Sequence, residues 1–288
     1  MIISTEIDST AKVVGEERAI EMIAKAGFDA WDFSMFKMAP YDWKNRAVLM
    51  GDHPLQSENY AAYAKKLRHI GEECGIYCNQ SHAPFPSNNE AIIPYLFRAI
   101  ECTAIAGGKI CIIHPNNNHT AEENAELYNK LLPFAKECGV KIATENMWNW
   151  DRERQEALPA ACSDPASFLA HLEAINDPNF IACLDIGHAE MRGLNTTARE
   201  MILALGDHLQ ALHIHDNDRH HDSHAIPFTM DIDFDVVARS LVEVGYRGDL
   251  TMEAAYYVTA PENLETDLAR LADAAKRFRD LVVGYQQK

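Results

Sequence analysis

Apolar segments of strand length alternate along this chain with stretches whose apolar residues recur at helical spacing. Residues 2–7 form the first such segment, and residues 16–26 then place Ile20 and Ile23 on one helical face. Gly27 follows, and glycine commonly ends a helix because it adopts the left-handed conformation without steric cost. The next apolar segment covers residues 28–33. This order predicts a strand, a helix and a second strand.

The same unit recurs through most of the chain. Further apolar segments, each after a helical stretch, lie at residues 76–78, 109–113, 140–143, 180–184, 209–212 and 249–252. Strands that alternate with helices form a parallel sheet, and eight such units predict a single (β/α)8 TIM barrel of the α/β class. No linker rich in Ser, Gly or Pro divides the chain. We therefore expect one domain over residues 1–288, closed by an amphipathic helix at residues 261–281.

Three long connections follow predicted strands, at residues 37–54, 146–162 and 217–233. All three run from a strand to a helix, and catalytic groups of such barrels lie on that side. The second connection carries Trp148 and Trp150. Their flat rings could stack on a sugar face, or they could form an aromatic lid that packs on its own loop.

The composition narrows the class of protein. The hydrophobic fraction of 47% and the charged fraction of 24% are ordinary for a soluble protein. A net charge of −17 disfavours a general nucleic-acid surface, although it leaves a local basic or metal-lined groove open. Seven cysteines without a CxxC pair predict reduced thiols. With no signal peptide and no membrane span expected, these features predict a cytoplasmic protein.

Residues 212–224 are the part of the chain richest in ligand-type side chains. They hold five of the thirteen histidines and three aspartates, where a short apolar strand opens into a polar loop. Histidine and carboxylate are ligands of Zn²⁺, Mn²⁺ and similar ions. We favour a ligand role for His213, at the end of the strand, and expect His220 and His221 to be solvated.

Five other strand ends carry the same residue types. The six strand ends carry, in chain order, His82, then His114, then Glu145, then the pair Asp185 and His188, then His213, and finally Glu253. The carboxyl ends of strands converge in a closed barrel, so we expect these side chains to lie close together. Two Glu, one Asp and one His suit Mn²⁺, Mg²⁺, Co²⁺ or Zn²⁺ without choosing among them.

The chain resembles the xylose-isomerase-like barrel superfamily, which includes sugar isomerases, sugar 3-epimerases and the endonuclease IV DNA-repair enzymes. The matching segments lie at residues 26–29, 81–84, 145–146, 184–189, 212–217 and 251–253. The Asp-x-Gly-His element at residues 185–188 and the His-x-x-Asp element at 213–216 are the more specific ones.

The resemblance implies a role for each site residue. The metal ligands would be Glu145, Asp185, His213 and Glu253, with Glu145 and Glu253 also acting as acid and base. His188 would meet the substrate, and Arg219 stands where ketose epimerases place a substrate-contacting arginine. We further assign His82, His114 and Trp148 to substrate binding.

Two features depart from the sugar branch. Residues 227–233 lack both glycines of the Pro-Gly-x-Gly turn that usually precedes Ile-Asp, so the substrate pocket should differ in shape. In addition, His82, His114, Asp222 and His224 coincide with further zinc ligands of endonuclease IV. Asp222 and His224 are therefore candidates for an additional metal.

The leading hypothesis is a metal-dependent sugar isomerase or epimerase that transfers a proton through an enediolate, using one divalent ion and no organic cofactor. The alternatives are an abasic-site phosphodiesterase with a multi-zinc site, and a barrel whose metal assists lyase cleavage or only sugar binding. A small carbohydrate is the expected partner, with nucleic acid disfavoured and a homo-oligomer left open.

Overall fold

In the computed structural model, which describes residues 1–287, eight parallel strands form one sheet. They are Ile3–Glu6 (β1), Ala30–Ser34 (β2), Tyr77–His82 (β3), Ile110–Ile112 (β4), Lys141–Glu145 (β5), Phe180–Asp185 (β6), Leu209–His213 (β7) and Leu250–Met252 (β8). Strands β1 to β7 are neighbours in chain order, and β8 lies beside β1. Ile214, directly after β7, pairs in parallel with Met252, and its amide donates a 2.9 Å hydrogen bond to the Thr251 carbonyl. This closure confirms the predicted barrel.

Helices fill the connections between the strands. They are Asp8–Val14 (α1), Glu16–Ala26 (α2), Tyr60–Glu73 (α3), Ile93–Ala106 (α4), Ala121–Cys138 (α5), Pro165–Ile175 (α6), Ile186–Ala189 (α7), Ala198–Leu205 (α8), Phe234–Glu243 (α9) and Leu264–Gln286 (α10). Helix α2 has the predicted bounds and ends at Gly27, whose φ of 96° is left-handed. The predicted final helix begins as a 3₁₀ turn, Pro261–Asn263, and α10 extends past residue 281. None of the helices within residues 1–287 combines the length and apolar character that crossing a bilayer requires.

Two connections predicted as loops contain antiparallel hairpins. The first hairpin pairs Tyr41–Asp42 with Ala47–Val48, and the second pairs Trp148–Asp151 with Glu156–Pro159. An aspartate side chain organises each reversal. Asp42 Oδ1 accepts the amides of residues 44 and 45, and Asp151 Oδ1 accepts those of residues 153 and 154. Such Asx turns are local signals that a search for apolar periodicity overlooks.

Within residues 1–287 the apolar core forms three clusters, and the smallest, Ala157, Met191 and Leu194, packs against Trp148 and Trp150. The largest cluster packs between the strands and the surrounding helices and includes Trp31, Phe33, Phe168 and Phe278. A smaller cluster lies on strands β4 to β7: Ile112, Ala143, Ile181, Cys183 and Ala211. Ligand-type side chains follow at the carboxyl ends of the strands, so the packed sheet holds those ends in fixed positions.

Candidate active site

Four predicted metal ligands meet at the barrel mouth. Glu145, Asp185, His213 and Glu253 lie at the ends of β5, β6, β7 and β8, and each offers a ligand atom within 4.8 Å of the others. Glu145 and Asp185 are buried, at 1% and 0% exposure, whereas Glu253 is half-buried. The barrel therefore brings together residues that are more than a hundred positions apart in sequence.

Two carboxylate oxygens of this group have no hydrogen-bond partner in the described part of the chain and are suited to bind a cation. Asp185 Oδ1 accepts a 2.7 Å hydrogen bond from the His188 amide. Its other oxygen, Oδ2, is buried and has no hydrogen-bond partner among residues 1–287, and the same holds for Glu145 Oε2. Buried carboxylate oxygens are costly unless paired or bound to a metal. Three carboxylates and one imidazole make a donor set typical of divalent ions.

His213 has neighbours on both nitrogens. Its Nδ1 lies 3.2 Å from Glu145 Oε1 and 3.4 Å from Glu253 Oε2. Its Nε2 lies 3.4 Å from Asp32 Oδ2, which also accepts a 2.9 Å hydrogen bond from Gln80 Nε2. The Nδ1 side of the ring therefore faces the ligand group, and the opposite side faces a buried carboxylate.

The two glutamates differ in acidity. Burial raises the pKa of Glu253 to about 8. Burial acts in the same direction on Glu145, but His213 and His114 outweigh it and hold the pKa of Glu145 well below its usual range. In the metal-free protein at neutral pH, Glu145 is therefore charged and Glu253 carries a proton.

His82 and His114 lie against Glu145. His82 Nδ1 is 2.9 Å from the Ala83 carbonyl oxygen, which can only accept, so this nitrogen carries the ring proton. His82 Nε2 then accepts from His114 Nε2 at 2.9 Å, and His114 Nε2 is 3.4 Å from Glu145 Oε2. Burial, together with His114, holds the pKa of His82 well below its usual value. His82 is therefore a neutral imidazole at the base of the pocket.

A second group of ligand-type side chains lies beside the first. It consists of His188, His215, Asp222 and His224, with ligand atoms within 4.8 Å of one another. Asp222 Oδ2 is 3.3 Å from His188 Nε2 and 3.2 Å from His224 Nε2. Burial disfavours charge on both imidazoles, but Asp185 and Asp222 raise the pKa of His188 well above its usual value, and Asp222 raises that of His224 to about 10. In this group, which we call the second cluster, the positive charges of His188 and His224 therefore compensate the negative charge of Asp222.

Gly187 permits the packing of His215. The His215 ring approaches so closely that a Cβ at position 187 would stand 1.9 Å from its Cε1. His215 Nε2 in turn lies 3.1 Å from Asp185 Oδ1. The glycine of the Asp-x-Gly-His element thus allows His215 to support the Asp185 carboxylate.

The pocket above these groups has a volume of about 720 Å³. Eight of the predicted site residues line it: His82, His114, Glu145, Trp148, His188, Asp222, His224 and Glu253. Asp185 and His213 are buried beside it. Arg219 is not in the lining, because its guanidinium lies 3.7 Å from Glu190 and its Nε donates to the Asp231 carbonyl at 3.1 Å. Its predicted substrate contact stays a prediction.

Several residues of the site are not among those predicted from the sequence. Asp32 and His215 contact the ligand group, and Phe36, Trp43 and Phe85 line the pocket. Asp32 could have been found from sequence, since a lone aspartate interrupts the apolar run of β2. The three aromatic residues carried no comparable signal, because they lie in the connections after β2 and β3.

Comparison with known proteins gives the family. The model of the xylose isomerase-like TIM barrel family matches residues 20–274, so the chain belongs to that family. An uncharacterised protein of Methanocaldococcus jannaschii is 28% identical over 253 residues, covering 82% of this chain and 78% of the relative.

Solved structures share the fold across nearly the whole chain. A D-tagatose 3-epimerase-like protein superposes with a TM-score of 0.73 at 21% identity, covering 99% of each chain. The D-allulose 3-epimerase of a Methylomonas species gives 0.71 at 18% identity, covering 97% of each chain. At these identities the likeness shows the barrel fold.

Proposed function

We propose that this protein is a divalent-metal-dependent sugar isomerase or epimerase. The observation that carries the proposal is the convergence of Glu145, Asp185, His213 and Glu253 at four successive strand ends beside one pocket. The two solved structures named above are described as ketose 3-epimerases or similar to them, which supports a small carbohydrate as substrate.

These four residues would hold the ion through three carboxylates and the Nδ1 side of His213. When bound, the ion would stabilise negative charge on substrate oxygens as a proton leaves the neighbouring carbon. Glu145 and Glu253 both line the pocket, from β5 and from the residue after β8. Glu145 would take the proton beside a carbonyl, and Glu253 would return one to a different carbon or face.

His188 and Trp148 would bind and orient the sugar. His188 Nδ1 donates to the Asn146 carbonyl oxygen at 2.9 Å, which fixes the ring and turns Nε2 toward Asp222. The Trp148 ring lies 6.3 Å from the His188 ring, so the two form one wall. Trp150 instead packs against His220 and His221. Sugar stacking is therefore proposed for Trp148 alone.

Two measurements test the proposal. Elemental analysis of the purified protein identifies the ion, and a panel of ketoses and aldoses is then incubated in D₂O with that ion restored. A carboxylate that removes a substrate proton commonly exchanges it with solvent, so deuterium should enter the carbon beside the carbonyl. Absence of exchange across the panel with the metal-loaded protein would contradict an isomerase or epimerase.

A multi-zinc phosphodiesterase is the second candidate. The observation that favours it is the presence of further ligand groups, among them His82–His114–Glu145 and the second cluster around Asp222. The net charge of −17 opposes it, because DNA binding relies on cations that face phosphates. It predicts more than one zinc per chain and nicking of a duplex with an abasic site. If neither exchange nor nicking is observed, the lyase or sugar-binding alternative is favoured instead.

A further inference from the structure

A row of aromatic rings leads from the buried histidines to the surface. The His114 ring stacks on Phe85 with centroids 5.2 Å apart, and Phe85 lies 6.4 Å from Trp43. Exposure rises along this row, from the half-buried His114 and Phe85 to Trp43, which is 64% exposed. Trp43 is held by an edge contact with Tyr41, at 5.1 Å, in the first hairpin. The row therefore continues the wall of the pocket outward from Glu145.

The pocket is larger than one sugar ring requires. Its volume of about 720 Å³ equals the space of roughly 24 water molecules at about 30 Å³ each. A single hexose has twelve carbon and oxygen atoms, each taking no more space than a water molecule, so it would fill at most about half of that volume. A hexose at the ligand group would therefore leave the part beside Phe85 and Trp43 open to a second group.

The polar lining of the pocket indicates that this second group is neutral. Asparagine amides contribute much of it, at Asn88, Asn116, Asn117, Asn118 and Asn149. Two of them already donate to backbone carbonyl groups, Asn117 to Trp148 and Asn149 to Pro159. Its one Lys, Lys12, is paired with Asp8 at 2.6 Å, and no Arg lies in the lining among the described residues. Amides both donate to and accept from hydroxyl groups, and aromatic faces pack on apolar ring faces. Phosphate recognition would instead require cations that are free of carboxylate partners.

We propose that Phe85 and Trp43 form an outer subsite for a second sugar ring, so that the substrate is a ketose unit joined to another sugar. The placement of the reacting unit at Glu145 and Glu253 rests on the proposed function. The outer subsite itself rests on the aromatic row, the volume and a lining that, outside the ligand groups and within the described chain, carries no charge except the Asp8–Lys12 pair. Binding and reaction can therefore be tested separately.

The binding experiment compares a monosaccharide with disaccharides. Calorimetry on the metal-loaded protein measures the affinities of D-fructose and of isomaltulose and lactulose, two disaccharides in which a second sugar is linked to D-fructose. At least one disaccharide should bind tenfold or more tightly than D-fructose. Trp43→Ala should remove most of that difference and leave D-fructose binding unchanged, while Trp43→Phe should retain part of it. A phenyl glycoside tests whether an aromatic ring occupies the subsite instead.

The matched control is Trp150→Ala, which removes a tryptophan of the second hairpin that lies outside the pocket lining and contacts His220, His221 and the edge of Trp148. It should leave the disaccharide preference intact. The subsite is overturned if neither disaccharide binds more tightly than D-fructose, if the phenyl glycoside alone gains affinity, or if Trp43→Ala and Trp150→Ala have equal effects. Deuterium exchange with the same sugars reports on the reaction. A disaccharide preference without deuterium exchange supports the outer subsite and contradicts the proposed isomerase or epimerase reaction. Deuterium exchange without a disaccharide preference supports the reaction and contradicts the subsite.

Discussion

The Nε2 atom of His213 lies 3.4 Å from Oδ2 of Asp32, on the side of the ring opposite Glu145 and Glu253. A metal-ligating histidine usually donates its second N–H to a carboxylate or carbonyl group, which fixes the tautomer and the ring orientation. Gln80 holds the same Asp32 oxygen through a 2.9 Å hydrogen bond. The Asp32 carboxylate thus lies against the Nε2 side of the His213 ring, and Nδ1 faces the ligand group.

We expect Asp32→Ala to weaken divalent-metal binding by about 10- to 100-fold, the usual cost of losing such a partner. Asp32→Asn keeps an acceptor oxygen and should lose less metal affinity. Calorimetric titration of the metal-free variants with Mn²⁺ or Zn²⁺ measures both effects.

Glu6→Gln is the control for this experiment. Glu6 is a buried carboxyl group on the neighbouring strand β1, and burial raises its pKa to about 7. Because much of it is already neutral at pH 7, the amide should change metal affinity little. Equal losses in Glu6→Gln and Asp32→Asn would show that Asp32 acts only through general packing.

Glu145→Gln and Glu253→Gln should each lower turnover by about 10² or more, as expected for the loss of a general acid or base. Both substitutions preserve side-chain shape, so circular dichroism and the melting temperature should show an intact fold. The rate is measured with saturating metal, which separates weaker metal binding from lost proton transfer. Near-normal turnover in one variant would limit that glutamate to a ligand role.

Metal binding should release a proton near neutral pH. Burial raises the pKa of Glu253 to about 8, so below that pH the ion must displace the Glu253 proton. Affinity should therefore rise as pH increases from 6 to 8, with displacement of the Glu253 proton contributing about tenfold per pH unit. Titrations in buffers of different ionisation enthalpy count the protons.

The Glu253→Gln variant supplies the comparison, since it lacks this proton. Its metal affinity should be lower, and the slope of the logarithm of its affinity against pH should be smaller by about one. The same slope in both proteins would place the released proton elsewhere in the site.

The sequence was sufficient to predict the barrel and the convergence of ligand-type residues, because both follow from strand periodicity and closure. Glu145, Asp185, His213 and Glu253 meet because parallel strands must end on the same side. Contacts that depend on side-chain direction could not be predicted in this way. Arg219 turns toward Glu190, whereas Trp43 reaches the pocket on a hairpin set by the Asx turn at Asp42.

Gly187→Ala should damage the site through packing alone. A Cβ at position 187 would stand 1.9 Å from the His215 ring, so the ring or the backbone must move. Overpacking of this kind typically costs about 1–3 kcal/mol, and the displaced His215 would no longer support Asp185. We therefore expect a lower melting temperature together with weaker metal binding.

The matched substitution is Gly284→Ala. Gly284 lies in helix α10, and a Cβ there meets no atom within 4 Å. Because alanine favours a helix interior over glycine by about 0.8–1.0 kcal/mol, this variant should be as stable as the wild type or more stable, with unchanged metal affinity. Thermal unfolding and metal titration of the two variants decide the matter. If Gly187→Ala binds metal as tightly as Gly284→Ala, His215 does not support the Asp185 carboxylate.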